Sequence, residues 1–326
     1  MFIYSHKANI QPGTTNYLRT SPSVITIVLK NNGLYSGISL AVLIKIHDWQ
    51  LSEAELRGTI SMTKEEAMRY LLIVMIFMTG ILEVNAELHR EFVEYKDGDV
   101  LLEGYLVYDD AVKGKRPGVI VVHEWWGLND YIQRRAREVA ELGYIAFAID
   151  MYGKGLRARD PQKAGELSGS VSKDLKLMRS RAAAGLDVLK KHDLTDADKM
   201  AAIGYCFGGK AVLELARSGA ELAGVAGFHG SLDTQNPEDA KNIKGSVLVL
   251  HGGDDPFVSD EKVASFQDEM RKAGVDWQMN IYGNAVHSFT NPEADKLNMK
   301  GIRYNEKADK RSWEALKAFL REIFGR

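Results

Sequence analysis

A cysteine flanked by glycines, placed between an apolar run and a helical pattern, constrains the fold of this chain more than any other feature. Residues 200–205 are mostly apolar, residues 204–208 read G-Y-C-F-G, and helix-forming residues follow as far as position 216. This is a G-x-C-x-G version of the G-x-S-x-G elbow, a sharp strand-to-helix turn that projects its central side chain above a sheet. Gly204 and Gly208 let strand and helix approach without a Cβ between them.

Cys206 at the centre of this turn is the only cysteine in 326 residues. A single thiol forms no disulfide within the chain, and a solitary cysteine is by default a small buried hydrophobe. The apolar residues before it, the glycines on both sides and the helix formers after it favour a nucleophile instead.

The first 67 residues differ from the rest of the chain. Residues 24–29 and 38–46 have strand-like composition, but the segment has no sustained amphipathic pattern and no recognisable chemistry. We therefore expect residues 1–67 to lie outside the folded domain, as an over-extended reading of the gene.

Residues 68–86 have the three-part layout of a secretory signal peptide. Arg69 precedes an apolar stretch of about ten residues, and small or aliphatic residues stand third-last and last. Glu83 keeps the stretch shorter than the ~20 residues of a spanning helix. We expect translation to start at Met68 or Met62, and the cleaved protein to be exported without stable membrane association. The alternative is a buried helix or membrane anchor, and a protein that stays in the cytoplasm.

Residues 87–326 have the pattern of one α/β domain. Asp97-Gly98 between two alternating runs predicts an antiparallel hairpin over residues 92–95 and 100–108. Apolar runs then alternate with helical patterns, which predicts a mainly parallel central sheet with helices on both faces. Strands are predicted at residues 117–122, 144–149, 199–205, 222–228, 245–251 and 277–282, and helices at residues 131–142, 161–191, 211–217, 259–272 and 306–324.

Two later strand ends carry a carboxylate and a histidine. Asp255 follows the strand predicted at 245–251, and His287 follows the strand predicted at 277–282. In parallel sheets, sites lie at the carboxyl ends of strands. The chain order of nucleophile, acid and histidine is that of α/β-hydrolase triads, so Cys206, Asp255 and His287 are the predicted triad.

Each of these assignments has an alternative. Asp255 is preferred to its neighbour Asp254 because it directly precedes a proline, although it is also placed to cap the helix near Ser259. His287 has the alternative of a surface loop histidine. Three other histidines also lie near strand ends, namely His123, His229 and His251.

Four motifs in order carry a family resemblance. They are H-E-W-W-G at 123–127, G-Y-C-F-G-G at 204–209, D-P-F-V at 255–258 and H-S-F at 287–289. Together they resemble the dienelactone hydrolase family of α/β hydrolases, over about residue 88 to the C-terminus. The resemblance implies a single α/β-hydrolase domain that cleaves a small-molecule ester or lactone with a cysteine nucleophile. The reaction needs neither a metal nor an organic cofactor.

The resemblance also assigns roles around the thiol. It implies that Glu124 holds the Cys206 thiol in the empty enzyme and takes its proton when substrate binds, with an exposed loop carboxylate as the alternative. The oxyanion hole is expected at the backbone N–H groups of Phe207, directly after the nucleophile, and of Trp125 in the early loop.

The substrate pocket is expected to be apolar. Thr290 and Asn291 stand where enzymes acting on dienelactone are expected to carry an arginine, which argues against an anionic lactone. Trp126, Tyr152 and Phe289 are expected to line the pocket, with simple core packing as the alternative for each aromatic residue.

The net charge argues against one class of function, and the triad and the fold each allow an alternative. The net charge of −2, with basic and acidic residues mixed along the chain, gives no indication of a nucleic-acid surface. The triad alone also fits a thioesterase or peptidase-like acyl enzyme, and the fold alone fits a non-catalytic binding protein. Nothing in the sequence indicates an oligomeric state.

Overall fold

The computed structural model describes residues 25–31, 38–44 and 88–325. In the first unit, strands β1 (Ile25–Asn31) and β2 (Ile38–Ile44) pair antiparallel. The predicted leader at residues 68–86 lies outside the described residues. Among the described helices, none combines the length and apolarity needed to cross a membrane.

The second unit opens with the predicted hairpin. Strands β3 (Leu88–Asp97) and β4 (Val100–Asp109) pair antiparallel along their whole length. Gly98 has a φ of 59° in the connection, a left-handed value that glycine adopts without steric cost.

Strands and helices then alternate. The further strands are β5 (Arg116–Val122), β6 (Ile145–Ile149), β7 (Thr195–Tyr205), β8 (Gly224–Phe228), β9 (Ser246–Gly252) and β10 (Trp277–Tyr282). The helices are α1 (Asp130–Glu141), α2 (Pro161–Ser172), α3 (Leu175–Lys191), α4 (Phe207–Arg217), α5 (Asp260–Ala273) and α6 (Glu306–Phe324).

These strands form one eight-stranded sheet in the order β3-β4-β6-β5-β7-β8-β9-β10. Strands β5 to β10 are all parallel, and the hairpin joins them through an antiparallel β4–β6 pair. The fold class predicted from the sequence is confirmed. The carboxyl ends of the parallel strands therefore meet at one edge of the sheet, where the elbow lies.

The core lies in two layers, one on each face of the sheet. Along β5, Val119 and Val121 belong to one apolar cluster, with residues of α1 and α6, while Ile120 and Val122 belong to the other. This division follows from the two-residue period of a strand. All four side chains are fully buried, which explains why β5 reads as a continuous apolar run.

Two differences between the predicted and observed elements have a local structural cause. The helical stretch predicted at 161–191 is two helices, because the Asp174 side chain accepts a hydrogen bond from Leu177 N and begins α3 anew. Strand β7 begins at Thr195, four residues before the predicted start at 199, because Thr195 and Asp196 pair with the start of β5 before a register shift.

Candidate active site

Cys206 stands at a strained turn between β7 and α4. Its φ is 53° and its ψ is −115°, values that a residue with a Cβ adopts only under constraint from its surroundings. Its N–H donates to the Phe228 carbonyl at 3.0 Å. A Cβ at Gly204 would lie 2.0 Å from the Gly208 oxygen, and one at Gly208 would lie 2.3 Å from the Val122 oxygen. The close crossing of β7, α4 and β5 therefore requires both glycines.

The structure brings the three predicted triad residues together. The Cys206 sulfur lies 3.0 Å from His287 Nε2, and Asp255 Oδ2 lies 2.8 Å from His287 Nδ1. Asp255 and His287 are buried, whereas Cys206 is partly exposed. The imidazole is thus held between a thiol that substrate can reach and a carboxylate that water barely reaches.

Asp255 rather than Asp254 faces the imidazole. Asp254 is exposed, while the second oxygen of Asp255 accepts from Phe257 N at 2.9 Å. Helix α5 begins after Ser259 without a capping bond from that side chain. Asp255 therefore fixes its own turn and not the helix.

The electrostatic surroundings of His287 favour the imidazolium. Burial by itself lowers the pKa of His287, but the Cys206 sulfur and the Asp255 carboxylate outweigh burial, and the pKa lies well above its ordinary value. An imidazolium beside a thiol is the arrangement that favours a thiolate nucleophile.

Glu124 lies beside this site, but its contacts differ from those implied by the family resemblance. Oε1 accepts from Ser288 Oγ at 3.1 Å and Oε2 from Asn291 Nδ2 at 2.7 Å. The thiol of Cys206 faces His287 instead. Glu124 is buried, not an exposed loop carboxylate, and burial raises its pKa against the opposing effects of Asn291, His287 and Ser288.

The predicted oxyanion donors lie at the start of a helix and in a loop. Phe207 is the first residue of α4, where a backbone N–H has no partner within the helix. Trp125 follows β5, and its carbonyl accepts from the Tyr152 hydroxyl at 3.1 Å. That bond ties the loop after β5 to the loop after β6.

The aromatic residues predicted to line a pocket divide into two groups. Trp126 is partly exposed and meets Trp125 edge to face at 5.0 Å, and Tyr152 is nearly buried against Phe207. Phe289, in contrast, is fully buried against His229 and Tyr282, so it belongs to the core and not to an open pocket. The chain turns at Ser288, whose φ is 57°, and directs the next side chain inward.

Phe257 is a site residue that the sequence reasoning did not single out. Its side chain is 49% exposed, and its ring meets the His287 ring at 5.2 Å, nearly perpendicular. The signal was present in the D-P-F-V turn, where an apolar residue directly follows the acid's turn at a strand end. An exposed aromatic ring against the His287 imidazole is a surface that an apolar group of a ligand can contact.

Of the other three histidines near strand ends, His123 and His229 are held in buried hydrogen bonds. His123 binds the Glu124 carbonyl at 2.5 Å and accepts from Met151 N at 3.2 Å, and His229 binds Thr290 Oγ1 at 2.7 Å. Burial lowers the pKa of His123, His229 and His251. The described contacts thus place His287, and none of these three, against the thiol.

Comparison with known proteins gives the family. Residues 102–324 match the model of the dienelactone hydrolase family, which is more than half of the chain. The chain belongs to the dienelactone hydrolase family. Membership makes this dienelactone hydrolase family protein a hydrolase of esters or lactones, with a small molecule as its substrate.

Similarity to individual proteins covers about the same share of the chain. A crystal structure described as a dienelactone hydrolase-like promiscuous phosphotriesterase from metagenomic libraries is 42% identical, with a TM-score of 0.70, over 72% of this chain and 98% of that one. A putative carboxymethylenebutenolidase of Aquifex aeolicus is 28% identical over 71% of this chain and 97% of its own length. A putative dienelactone hydrolase from Klebsiella pneumoniae, 22% identical with a TM-score of 0.61, shows the shared fold.

Proposed function

We propose that this chain hydrolyses carboxylic esters or lactones through an acyl-thioester on Cys206. The observation that carries the proposal is the row of contacts from the Cys206 sulfur to His287 and on to Asp255, at 3.0 and 2.8 Å. Nucleophile, base and orienting carboxylate within hydrogen-bond distance are the requirement for this chemistry.

In the first half of the reaction, the Cys206 thiolate attacks the carbonyl carbon and forms a C–S bond. The tetrahedral intermediate then breaks its bond to the leaving oxygen, which takes the proton from His287 Nε2. Asp255 holds the imidazole through Nδ1 and stabilises the imidazolium.

In the second half, His287 removes a proton from water, and the resulting hydroxide attacks the thioester carbonyl. The C–S bond breaks, the acid leaves, and the thiolate–imidazolium pair forms again. The negative oxygen of both tetrahedral intermediates is proposed to lie between the N–H groups of Phe207 and Trp125. Loss of one such donor typically costs about 10²-fold or more in rate.

Glu124 acts in this proposal as a buried carboxyl group beside the base. Its charge interacts with His287, and two neutral donors, Ser288 and Asn291, hold its oxygens. The thiol is not among the described contacts of Glu124, so taking its proton requires a carboxylate oxygen to approach Cys206 when substrate binds. Glu124→Gln therefore tests that step: a normal acylation rate in the variant would remove proton transfer from the role of Glu124.

The substrate class proposed here is an uncharged ester or lactone. Asn291 presents a neutral amide to Glu124 where an arginine is expected in enzymes for an anionic lactone. The exposed ring of Phe257 and the partly exposed Trp126 favour an apolar group near the reacting carbonyl.

A second candidate substrate is a neutral phosphotriester. The relative that is 42% identical is described as a promiscuous phosphotriesterase, and a thiolate beside oxyanion donors is also able to attack an uncharged phosphoryl centre. Diethyl 4-nitrophenyl phosphate tests this activity in parallel with the esters.

The deciding experiment compares the wild-type chain with Cys206→Ala on 4-nitrophenyl acetate, on a thioester and on an anilide. We expect wild-type turnover of the ester, loss of turnover in the variant and unchanged circular dichroism. Ester turnover that survives Cys206→Ala contradicts the proposed nucleophile. A higher rate on the anilide or thioester favours the peptidase-like or thioesterase alternative.

Export is a separate proposal that rests on the sequence of residues 68–86. A C-terminally tagged chain is expected in the exported fraction with a mature N-terminus at residue 87. N-terminal sequencing decides this, since a mature protein that begins before residue 60 contradicts both the leader and the expected start.

A further inference from the structure

The segment that follows the catalytic histidine is held on several sides. Ser288 and Asn291 contact one buried carboxylate, and Thr290 is fully buried. Ser288 has a φ of 57°, in the left-handed region, directly after His287. A strained residue keeps its conformation only where surrounding contacts over-determine it, so these contacts bear on the position of the imidazole.

Thr290 contacts two separate elements of the fold. Its Oγ1 lies 2.6 Å from the Tyr131 hydroxyl and 2.7 Å from His229 Nε2, and its carbonyl accepts from Arg135 Nη2 at 2.7 Å. Tyr131 and Arg135 belong to α1, and His229 directly follows β8.

We propose that Thr290 is a positioning residue for the His287 imidazole and acts through His229. The inference rests on the proposed function, because it concerns the base of that reaction. The rings of His229 and His287 meet edge to face, with centroids 5.3 Å apart. The Thr290 hydroxyl binds one nitrogen of the His229 ring, and so sets the orientation of a ring in direct contact with the catalytic base.

The unpaired state of the other His229 nitrogen makes this single bond important. His229 is 1% exposed, and its Nδ1 has no hydrogen-bond partner within the described part of the chain. Loss of the Thr290 hydroxyl would leave both ring nitrogens buried and unpaired, which favours a new ring orientation. A displaced His229 ring moves His287, and a misplacement of about 1 Å in a reacting group costs about 10²-fold in rate.

Thr195 offers a matched control for the same substitution. It is 1% exposed at the start of β7, at the opposite end of that strand from Cys206, and its Oγ1 has no partner among residues 88–325. Thr195→Val and Thr290→Val therefore remove the same atom from equally buried sites, but only the Thr290 hydroxyl binds His229.

The test measures kcat and KM on 4-nitrophenyl acetate and the second-order rate at which iodoacetamide alkylates Cys206. Thr290→Val is expected to lower kcat and the alkylation rate by about tenfold to a hundredfold with little change in KM. Thr290→Ser restores both rates, because it restores the hydroxyl, and Thr195→Val behaves like the wild type.

A second variant tests the route through His229. His229→Asn removes the ring but tolerates the φ of 38° at this position. It is expected to slow alkylation as Thr290→Val does, and the double variant is expected to be no slower than His229→Asn alone. This variant also decides the question where Thr290→Val does not fold, because an unchanged alkylation rate in His229→Asn overturns the proposal.

Three further results overturn it. They are equal behaviour of Thr290→Val and Thr195→Val, failure of Thr290→Ser to restore the rates, and additive effects in the double variant. A wild-type chain that hydrolyses no ester contradicts the proposed function instead. The alkylation rates still report the positioning of the imidazole in that case.

Discussion

Two buried arginines, one in each helical layer, differ in what they bind. Arg217 on α4 is fully buried and binds Glu269 through two nitrogens and Glu214 through a third, at 2.7 to 3.0 Å. Arg135 on α1 is 3% exposed and binds two carboxylates, Glu138 of the same helix and Asp309 of α6, but also the Thr290 carbonyl and the Tyr131 hydroxyl.

The difference separates a structural network from one linked to the site. Around Arg217, charged groups satisfy one another in fixed, bidentate geometry and tie α4 to α5. Around Arg135, two carboxylates are accompanied by the neutral hydroxyls of Tyr131 and Thr290, which lead to the His229 ring beside His287. Two buried atoms there, His229 Nδ1 and Tyr205 Oη, have no hydrogen-bond partner among the described residues. Full pairing stabilises a fold, whereas partly paired neutral groups beside a base are able to influence its position and charge.

The largest effect on stability is expected for Arg217→Met. It leaves two buried carboxylates without their common cation, and breaking a buried pair typically costs about 3–5 kcal/mol in the free energy of unfolding. Urea denaturation measures this loss, and kcat per folded molecule should stay at the wild-type value. Arg179→Met is the control, because Arg179 binds the same Glu214 but is more exposed, and should cost about 1 kcal/mol. A fall in kcat with Arg217→Met would remove the distinction between the networks.

Arg135→Met is expected to have a smaller effect on stability but to lower activity as well. Loss of its hydrogen bonds should cost about 2–3 kcal/mol, because its two carboxylate partners, Glu138 and Asp309, are less deeply buried than those of Arg217, while the buried Thr290 carbonyl loses its donor. The freed segment should lower kcat several-fold per folded molecule, by up to about tenfold. Parallel urea and kinetic measurements on Arg135→Met and Arg217→Met test this; an unchanged kcat in both variants contradicts it.

Glu124→Gln tests the effect of the buried, titratable carboxyl group of Glu124 on stability. Burial raises the pKa of Glu124 in the folded chain above its ordinary value of 4.5, so the folded state binds more protons than the unfolded state above that pH. Glu124 therefore lowers stability as pH rises from about 4.5 through its folded pKa, and the glutamine variant does not. Urea denaturation at pH 4.5 and pH 8 should show the variant gaining stability relative to wild type. A constant difference between the two pH values contradicts the raised pKa.

Phe257 belongs to neither network, and Phe257→Ala should give the smallest effect. Its exposed ring contacts His287 but makes no described hydrogen bond from its side chain, so stability and kcat should change little. KM for a phenyl ester should rise about fivefold, which corresponds to loss of roughly 1 kcal/mol of apolar contact. KM for methyl acetate, which lacks the ring, is the control. An equal rise for both esters would place Phe257 away from the substrate's aromatic group.

The parts of the molecule that follow from local pattern were predictable. The elbow at Cys206, the hairpin around Gly98 and the alternation of strands and helices each have a signal within a few residues of the element itself. Asp255 was distinguishable from Asp254 because a proline fixes the turn that follows it. The end of each parallel strand then indicated which side chains share one edge of the sheet.

The contacts made across the sheet edge were not predictable from such signals. Phe289 reads as a site aromatic because it follows His287 closely, but the left-handed backbone at Ser288 directs it into the core. The partners of Glu124 depend on the same turn, more than 160 positions away along the chain. Neither a hydrophobic period nor a turn motif encodes which polar groups meet at that distance.

The crowded crossing at Gly204 and Gly208 has a consequence for the evolution of the elbow. The turn demands a missing Cβ on both sides of Cys206, but at position 206 it makes the same steric demand of cysteine, serine or alanine, since all three carry one Cβ. The reacting atom is therefore exchangeable without rebuilding the scaffold, whereas the two glycines are not. A protein lineage with this turn is able to exchange a thiol for a hydroxyl at position 206 by a single substitution. It is not able to replace the glycines at positions 204 and 208, although glycine has no reactive side chain.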